Sequence, residues 1–157
     1  MTATRVLALS SLAVLFGCAT EKPATIKTAT YNVALTPGVE VPVCPAAGAG
    51  ATGTANLVIA PDDSSITVTV TYSGLSGDVT AAHVHTGAAG TAGPVALPFS
   101  APFTSPFTKT FTAASYVAAP NAPPDFASFL VALRSGGTYL NVHTAACKPG
   151  EIRGQIQ

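Results

Sequence analysis

The chain has 157 residues, of which only 9% are charged, and its seven basic and seven acidic side chains give a formal net charge of +0. This low charge, with no basic cluster, argues against a nucleic-acid-binding protein. The sequence has no phosphate-binding loop, dinucleotide fingerprint or nucleophile elbow, and no Ser–His–Asp spacing stands out. We therefore predict that it is not an enzyme.

The first 17 residues have the features of an export signal. Arg5 precedes a mostly apolar stretch at residues 6–16, which is too short for a spanning helix of about 20 residues. The stretch ends in Leu15-Phe16-Gly17-Cys18, which resembles the bacterial lipobox. The resemblance implies cleavage before Cys18, acylation of its sulfur and anchoring in a membrane, with the outer membrane favoured by the uncharged Ala19. An ordinary secretory signal that contains a cysteine is the alternative.

The rest of the chain divides into a lipidated tether at residues 18–28 and one folded domain at residues 29–157, a length typical of a single domain. Of the three cysteines, Cys44 and Cys147 lie in this domain. In an oxidising compartment outside the cytosol, two such cysteines most simply form a disulfide. A pair of thiol metal ligands is the alternative.

Most of the predicted elements are strands. Alternating apolar residues predict a first strand at residues 29–35 and a hairpin formed by residues 56–59 and 66–72, joined by a Pro-Asp-Asp-Ser turn. Further strands are predicted at residues 39–43 (an edge strand containing Pro42), 79–86, 94–99, 107–113, 138–143 and 151–156.

One segment has the helical period instead. Phe126, Phe129 and Leu133 recur at helical spacing, with Asp125 placed to cap the start and Gly136 placed to end the helix. One short helix among many short strands predicts an all-β fold, a Greek-key-like β-sandwich with one short helix.

Three segments together resemble the CHRD domain, a family that includes many exported bacterial proteins. The segments are His83-Val84-His85-Thr86-Gly87 with Gly93-Pro94-Val95, then Tyr139-Leu140-Asn141-Val142-His143-Thr144, then Gly150-Glu151-Ile152-Arg153-Gly154-Gln155. The resemblance implies an all-β binding or interaction domain without an established catalytic activity. It assigns these positions to the family motif: Gly87, Pro94, Asn141, Thr144, Gly150, Glu151, Arg153 and Gly154. Cys147 departs from the family pattern, which supports its pairing with Cys44.

All three histidines of the chain lie in these motifs. His83 and His85 are two residues apart, so on a strand they point to the same face. With His143 from another strand they would form a three-nitrogen site for copper or zinc. The structural alternative is that the rings bond backbone carbonyls or neighbouring side chains and hold loops together. A second likeness, to copper/zinc superoxide dismutase, extends only to architecture, because three histidines are too few for that active site.

Glu151 and Arg153 also share a strand face, and we interpret them as a surface ion pair, typically worth about 0–1 kcal/mol. The sequence as a whole indicates a cell-envelope lipoprotein that presents an interaction domain to an unidentified partner. A copper- or zinc-binding protein is the alternative function.

Overall fold

The computed structural model describes residues 28–157. The predicted signal peptide, the predicted lipidation site Cys18 and almost all of the predicted tether lie outside this part of the chain. The described residues form one α-helix, α1 (Phe126–Arg134), and eight strands: β1 (Ala29–Leu35), β2 (Thr52–Ile59), β3 (Ser65–Ser73), β4 (Val79–Thr86), β5 (Val95–Pro98), β6 (Phe107–Thr112), β7 (Thr138–Thr144) and β8 (Ile152–Ile156).

The strands form two antiparallel sheets of four strands each. The first sheet has the order β1-β2-β3-β6, and the second has the order β5-β4-β7-β8. The two sheets join at one edge, where Thr36 and Arg153 exchange backbone hydrogen bonds of 2.9 and 3.1 Å. The predicted all-β sandwich with one short helix is confirmed.

The strand alternation of the sequence places the core of the first sheet. On β3, Ile66, Val68 and Val70 are fully buried, whereas Thr67 and Thr69 point outward and bond hydroxyls of β6. This division between an apolar and a polar face follows from the period of two along a strand.

The helix also forms where its apolar period predicts it. Asp125 caps its start by accepting a hydrogen bond of 2.8 Å from the Ser128 amide, as cap residues do. Gly136 follows its end with a φ of +74°, a conformation that glycine adopts without strain. Phe129 and Leu130 are fully buried and attach the helix to the core.

The second sheet differs from the first because both of its faces are buried at β7. All seven residues from Thr138 to Thr144 are buried. Leu140 and Val142 face the apolar core. Tyr139, Asn141 and His143 alternate with them and face an outer layer of loops. That covered outer face carries the histidines.

Of two sequence predictions about the loops, the strand at residues 39–43 is wrong and the disulfide is confirmed. The predicted strand at residues 39–43 is wrong: a 3-10 helix spans Pro37–Val39, and the following residues pair with no strand among residues 28–157. Proline lacks the amide hydrogen that a strand ladder needs. The disulfide between Cys44 and Cys147 is confirmed, so the two thiols are not metal ligands. The disulfide indicates an oxidising location outside the cytosol.

Candidate metal centre

The three histidines lie on neighbouring strands and on one face of the second sheet. β4 carries His83 and His85, and β7 carries His143. In the antiparallel register, His83 lies opposite Asn141 and His85 lies opposite Tyr139. The period of two therefore directs all three rings and Asn141 to the covered outer face.

The ring nitrogens converge. His83 Nδ1 and His143 Nε2 are 3.0 Å apart, and one nitrogen from each of the three rings lies within 4.8 Å of the others. Ligand nitrogens about 2.0–2.1 Å from a zinc ion are themselves about 3.3 Å apart. Small side-chain rotations would therefore place all three nitrogens around one ion.

Backbone carbonyls fix the tautomers of two rings. His85 Nδ1 donates to Gly93 O at 2.8 Å, and His143 Nδ1 donates to Lys148 O at 2.9 Å. A carbonyl only accepts hydrogen bonds, so each Nδ1 carries the proton and each Nε2 carries a lone pair. The same arrangement orients histidine ligands in metalloproteins.

The His85 lone pair is buried without a partner. Its Nε2 atom has no hydrogen-bond partner among the described residues, and the whole side chain is 8% exposed. His143 Nε2, by contrast, can accept a hydrogen bond from His83 Nδ1 at 3.0 Å. A buried acceptor without a donor is unfavourable, and a metal ion would relieve it.

The environment keeps the three rings neutral. Burial, reinforced by the neighbouring His143 and His85, lowers the pKa of His83 to about 4. Burial also lowers the pKa of His85 and of His143, although each carbonyl hydrogen bond acts in the opposite direction. Neutral imidazole is the form that binds a metal ion.

A stack of side chains supports the His85 ring. His85 and Tyr139 lie parallel, with ring centroids 4.7 Å apart and an interplanar angle of 4°. The Arg153 guanidinium lies 3.4 Å from the Tyr139 centroid. The strand order β4-β7-β8 places Tyr139 between the other two. This stack restricts the rotation of a candidate ligand.

A comparison with protein-family models finds one family, the CHRD domain, matching residues 31–156. The chain belongs to the CHRD domain family. Searches of curated proteins and of solved structures found no significant match. Within residues 28–157 there is no helix long and apolar enough to cross a membrane.

Several CHRD motif residues shape the loops around the histidines. A side chain at Gly150 would collide with the Glu40 carboxylate, and one at Gly154 would collide with the Ala34 carbonyl. Gly87 donates its amide to Gly137 at 2.8 Å, and the Pro94 carbonyl accepts from Thr86 at 3.1 Å. Glycine at positions 150 and 154 therefore leaves room for the Glu40 side chain and for the backbone of β1.

The prediction of a surface ion pair between Glu151 and Arg153 is wrong. Both residues of this CHRD motif are buried, at 0% and 1% exposure, and each has other partners. Arg153 donates from Nη2 to the Ala88 and Thr91 carbonyls, at 3.3 and 2.8 Å. Loops from distant parts of the chain cover this strand face, and a local sequence pattern does not reveal that covering.

Glu151 is an acceptor that joins three segments. It accepts from the Gly48 amide at 2.9 Å, from the Ser76 amide and hydroxyl at 2.6 Å each, and from the Thr144 hydroxyl at 2.6 Å. Burial by itself raises the pKa of the Glu151 carboxyl. The hydrogen bonds together lower this pKa by more than burial raises it, so the net shift is downward. An ionised carboxylate thus holds this side of the domain together.

Sequence reasoning missed Glu40 and gave Tyr139 no role. Glu40 is 3% exposed, and burial raises its pKa, partly offset by the Val41 amide, by Asn141 and by the charge of Arg153. Glu40 lies in a Pro- and Val-rich loop that offers no local signal. The position of Tyr139, two residues before Asn141, already indicated the shared face.

Proposed function

We propose that this CHRD domain binds one copper or zinc ion through His83, His85 and His143. The observation that carries the proposal is the convergence of three neutral imidazoles, two of them with Nδ1–H bonded to a carbonyl and Nε2 directed inward. Imidazole nitrogen suits copper and zinc, and three protein nitrogens leave at least one position open on either ion.

Exposure supports a route for the ion. His85 and His143 are each 8% exposed, whereas His83 is only partly buried. An ion would approach from the His83 side and meet the buried nitrogens last. The bond between His83 and His143 would open as the ion enters.

We infer that the domain works as a binding protein of the cell envelope and not as an enzyme. A lipid on Cys18 would hold it at a membrane, with the outer membrane as the expected location, and no nucleic-acid partner is expected. The CHRD family fits a binding or interaction domain. The disulfide agrees with a location outside the cytosol.

Metal analysis of the purified full-length protein tests the proposal. After loading with copper or zinc and removal of free metal, we expect one ion per chain, and less than one tenth of that in His85→Ala and His143→Ala. Asp62→Asn is the control, because this exposed carboxylate bonds Ser64 in the turn between β2 and β3 of the first sheet, whereas the histidines lie on the second sheet. Correctly folded protein that retains no metal would contradict the proposal.

A cleft favours a second candidate function, the binding of an envelope partner. The cleft has a volume of about 650 Å³ and lies between β1, the loop after it and β8. Val39 and Val41 supply apolar walls, and Arg153 and Gln155 supply polar ones. A cross-linking group placed at residue 39 in intact cells tests this function. A specific adduct with a partner that disappears when Val41 is replaced by aspartate would support it.

A further inference from the structure

Asn141 lies on the same sheet face as the three histidines. It lies on β7 between Tyr139 and His143, opposite His83 on β4, and it is 2% exposed. The strand period directs its side chain to the same covered face as the three rings. A buried amide in this position needs partners for both of its ends.

Hydrogen bonds determine the orientation of this amide. Nδ2 donates to the Pro149 carbonyl at 3.3 Å and to Glu40 Oε2 at 3.4 Å. A backbone carbonyl only accepts hydrogen bonds, so the nitrogen and not the oxygen must lie on that side. Oδ1 is therefore at the opposite end of the amide, where it is buried and has no partner among residues 28–157.

Two unpartnered acceptors lie on this covered face. His85 pairs with Tyr139, which is two residues from Asn141 on β7, and neither Asn141 Oδ1 nor His85 Nε2 has a hydrogen-bond partner within the described part of the chain. Because the His85 proton is on Nδ1, these two atoms present lone pairs and cannot bond each other. A cation between them would satisfy both.

We propose that Asn141 Oδ1 is the fourth ligand of the metal ion, completing a site of three imidazole nitrogens and one amide oxygen. The inference rests on the proposed metal-binding function and extends it to the class of ion. Four ligands of this kind suit the tetrahedral preference of Zn(II) and also bind Cu(II). A hard amide oxygen adds little for Cu(I), which prefers soft ligands.

The test compares the affinities of the full-length protein for Zn(II) and Cu(I), each measured by competition with a chromogenic chelator. We expect Asn141→Leu to weaken Zn(II) binding by about ten- to hundred-fold and to change Cu(I) binding by less than about three-fold. Asn141→Asp keeps an oxygen at nearly the same place but loses the donor to Pro149 and Glu40, and we expect it to bind Zn(II) more tightly than Asn141→Leu does. The visible spectrum of bound Co(II) should change in both variants, because a ligand of the ion has changed.

Gln155→Leu is the matched control. Gln155 is another amide on this face with an unpartnered buried oxygen, but it bonds Gly87 and Gly136 and not the histidine cluster. We expect its Zn(II) and Cu(I) affinities to equal those of the parent protein. Urea unfolding of every variant verifies that it is folded.

Different results overturn the two proposals. If the parent protein binds Zn(II), His85→Ala does not, and Asn141→Leu still binds it normally, the fourth ligand is refuted while the three-histidine site stands. Equal weakening of Zn(II) and Cu(I) in Asn141→Leu, matched by Gln155→Leu, would also refute it in favour of a structural role. If the parent protein binds no metal, both proposals fail together.

Discussion

Replacing Glu151 by alanine should lower the free energy of unfolding far more than the replacement of an exposed residue would. The carboxylate accepts four hydrogen bonds, from the Gly48 amide, from the amide and hydroxyl of Ser76 and from the Thr144 hydroxyl. At roughly 1.5 kcal/mol for each bond to a charged group, the four set an upper scale of about 6 kcal/mol. Gly48 is only partly buried and Ser76 is exposed, so water recovers part of this, and we expect a net loss of about 3–4 kcal/mol.

Glu151→Gln separates hydrogen bonding from charge. Its retained oxygen can accept from the two backbone amides, and its new NH₂ group can donate to the Ser76 and Thr144 hydroxyls, which can reverse their roles. We therefore expect a loss of only about 1 kcal/mol.

Equilibrium unfolding in urea at pH 7 measures these changes, with Asp78→Ala as the control. Asp78 is exposed, so its replacement should alter the free energy of unfolding by less than about 0.5 kcal/mol. If Glu151→Ala behaves like this control, the buried network does not hold the loops together and the reasoning is refuted.

Three further predictions concern stability. The double variant Cys44→Ser, Cys147→Ser should lose about 2–4 kcal/mol in urea unfolding, because the disulfide spans a sequence separation of 103 residues; an unchanged midpoint would contradict this. The folded-state pKa of His83 is about 4, against an ordinary value of 6.5. As the pH is lowered, this histidine therefore takes up its proton first in the unfolded chain. The free energy of unfolding of the metal-free protein should consequently fall between pH 6.5 and pH 4. His83→Gln should make this decline shallower, and urea titrations at a series of pH values would reveal an unchanged slope if the histidine is not responsible. Phe129→Ala on α1 should cost about 3–5 kcal/mol because the ring is fully buried, whereas Val131→Ala, 65% exposed, should cost less than about 0.5 kcal/mol in the same assay.

Much of the fold could be predicted because its signals are local. The alternation from Ile66 to Tyr72 reflects one buried and one exposed face, which is the situation that a period of two describes. The helix likewise combines an apolar period with a cap at Asp125. The failure at residues 39–43 has a local reason as well, since Pro42 interrupts the backbone pairing that the apolar residues alone suggested.

The candidate site was predictable only in part. The spacing of His83 and His85 established their shared face, and the motifs indicated His143 as the third member. The sequence could not give the pairing of β4 with β7, which brings residues 83 and 143 into contact. It also gave no sign of the carbonyls that determine the tautomers, since Gly93 and Lys148 act through their backbones.

The sequence by itself determined which residues alternate, where the helix lies, and that the histidines belong to a CHRD domain. The tertiary structure alone decided that the outer face of the second sheet is covered. Loops around Glu40, Ala88 and Gly150 bury polar side chains there that a strand pattern assigns to solvent. The physical reason is that a period of two distinguishes the two faces of a strand but does not reveal what distant segment packs on either face.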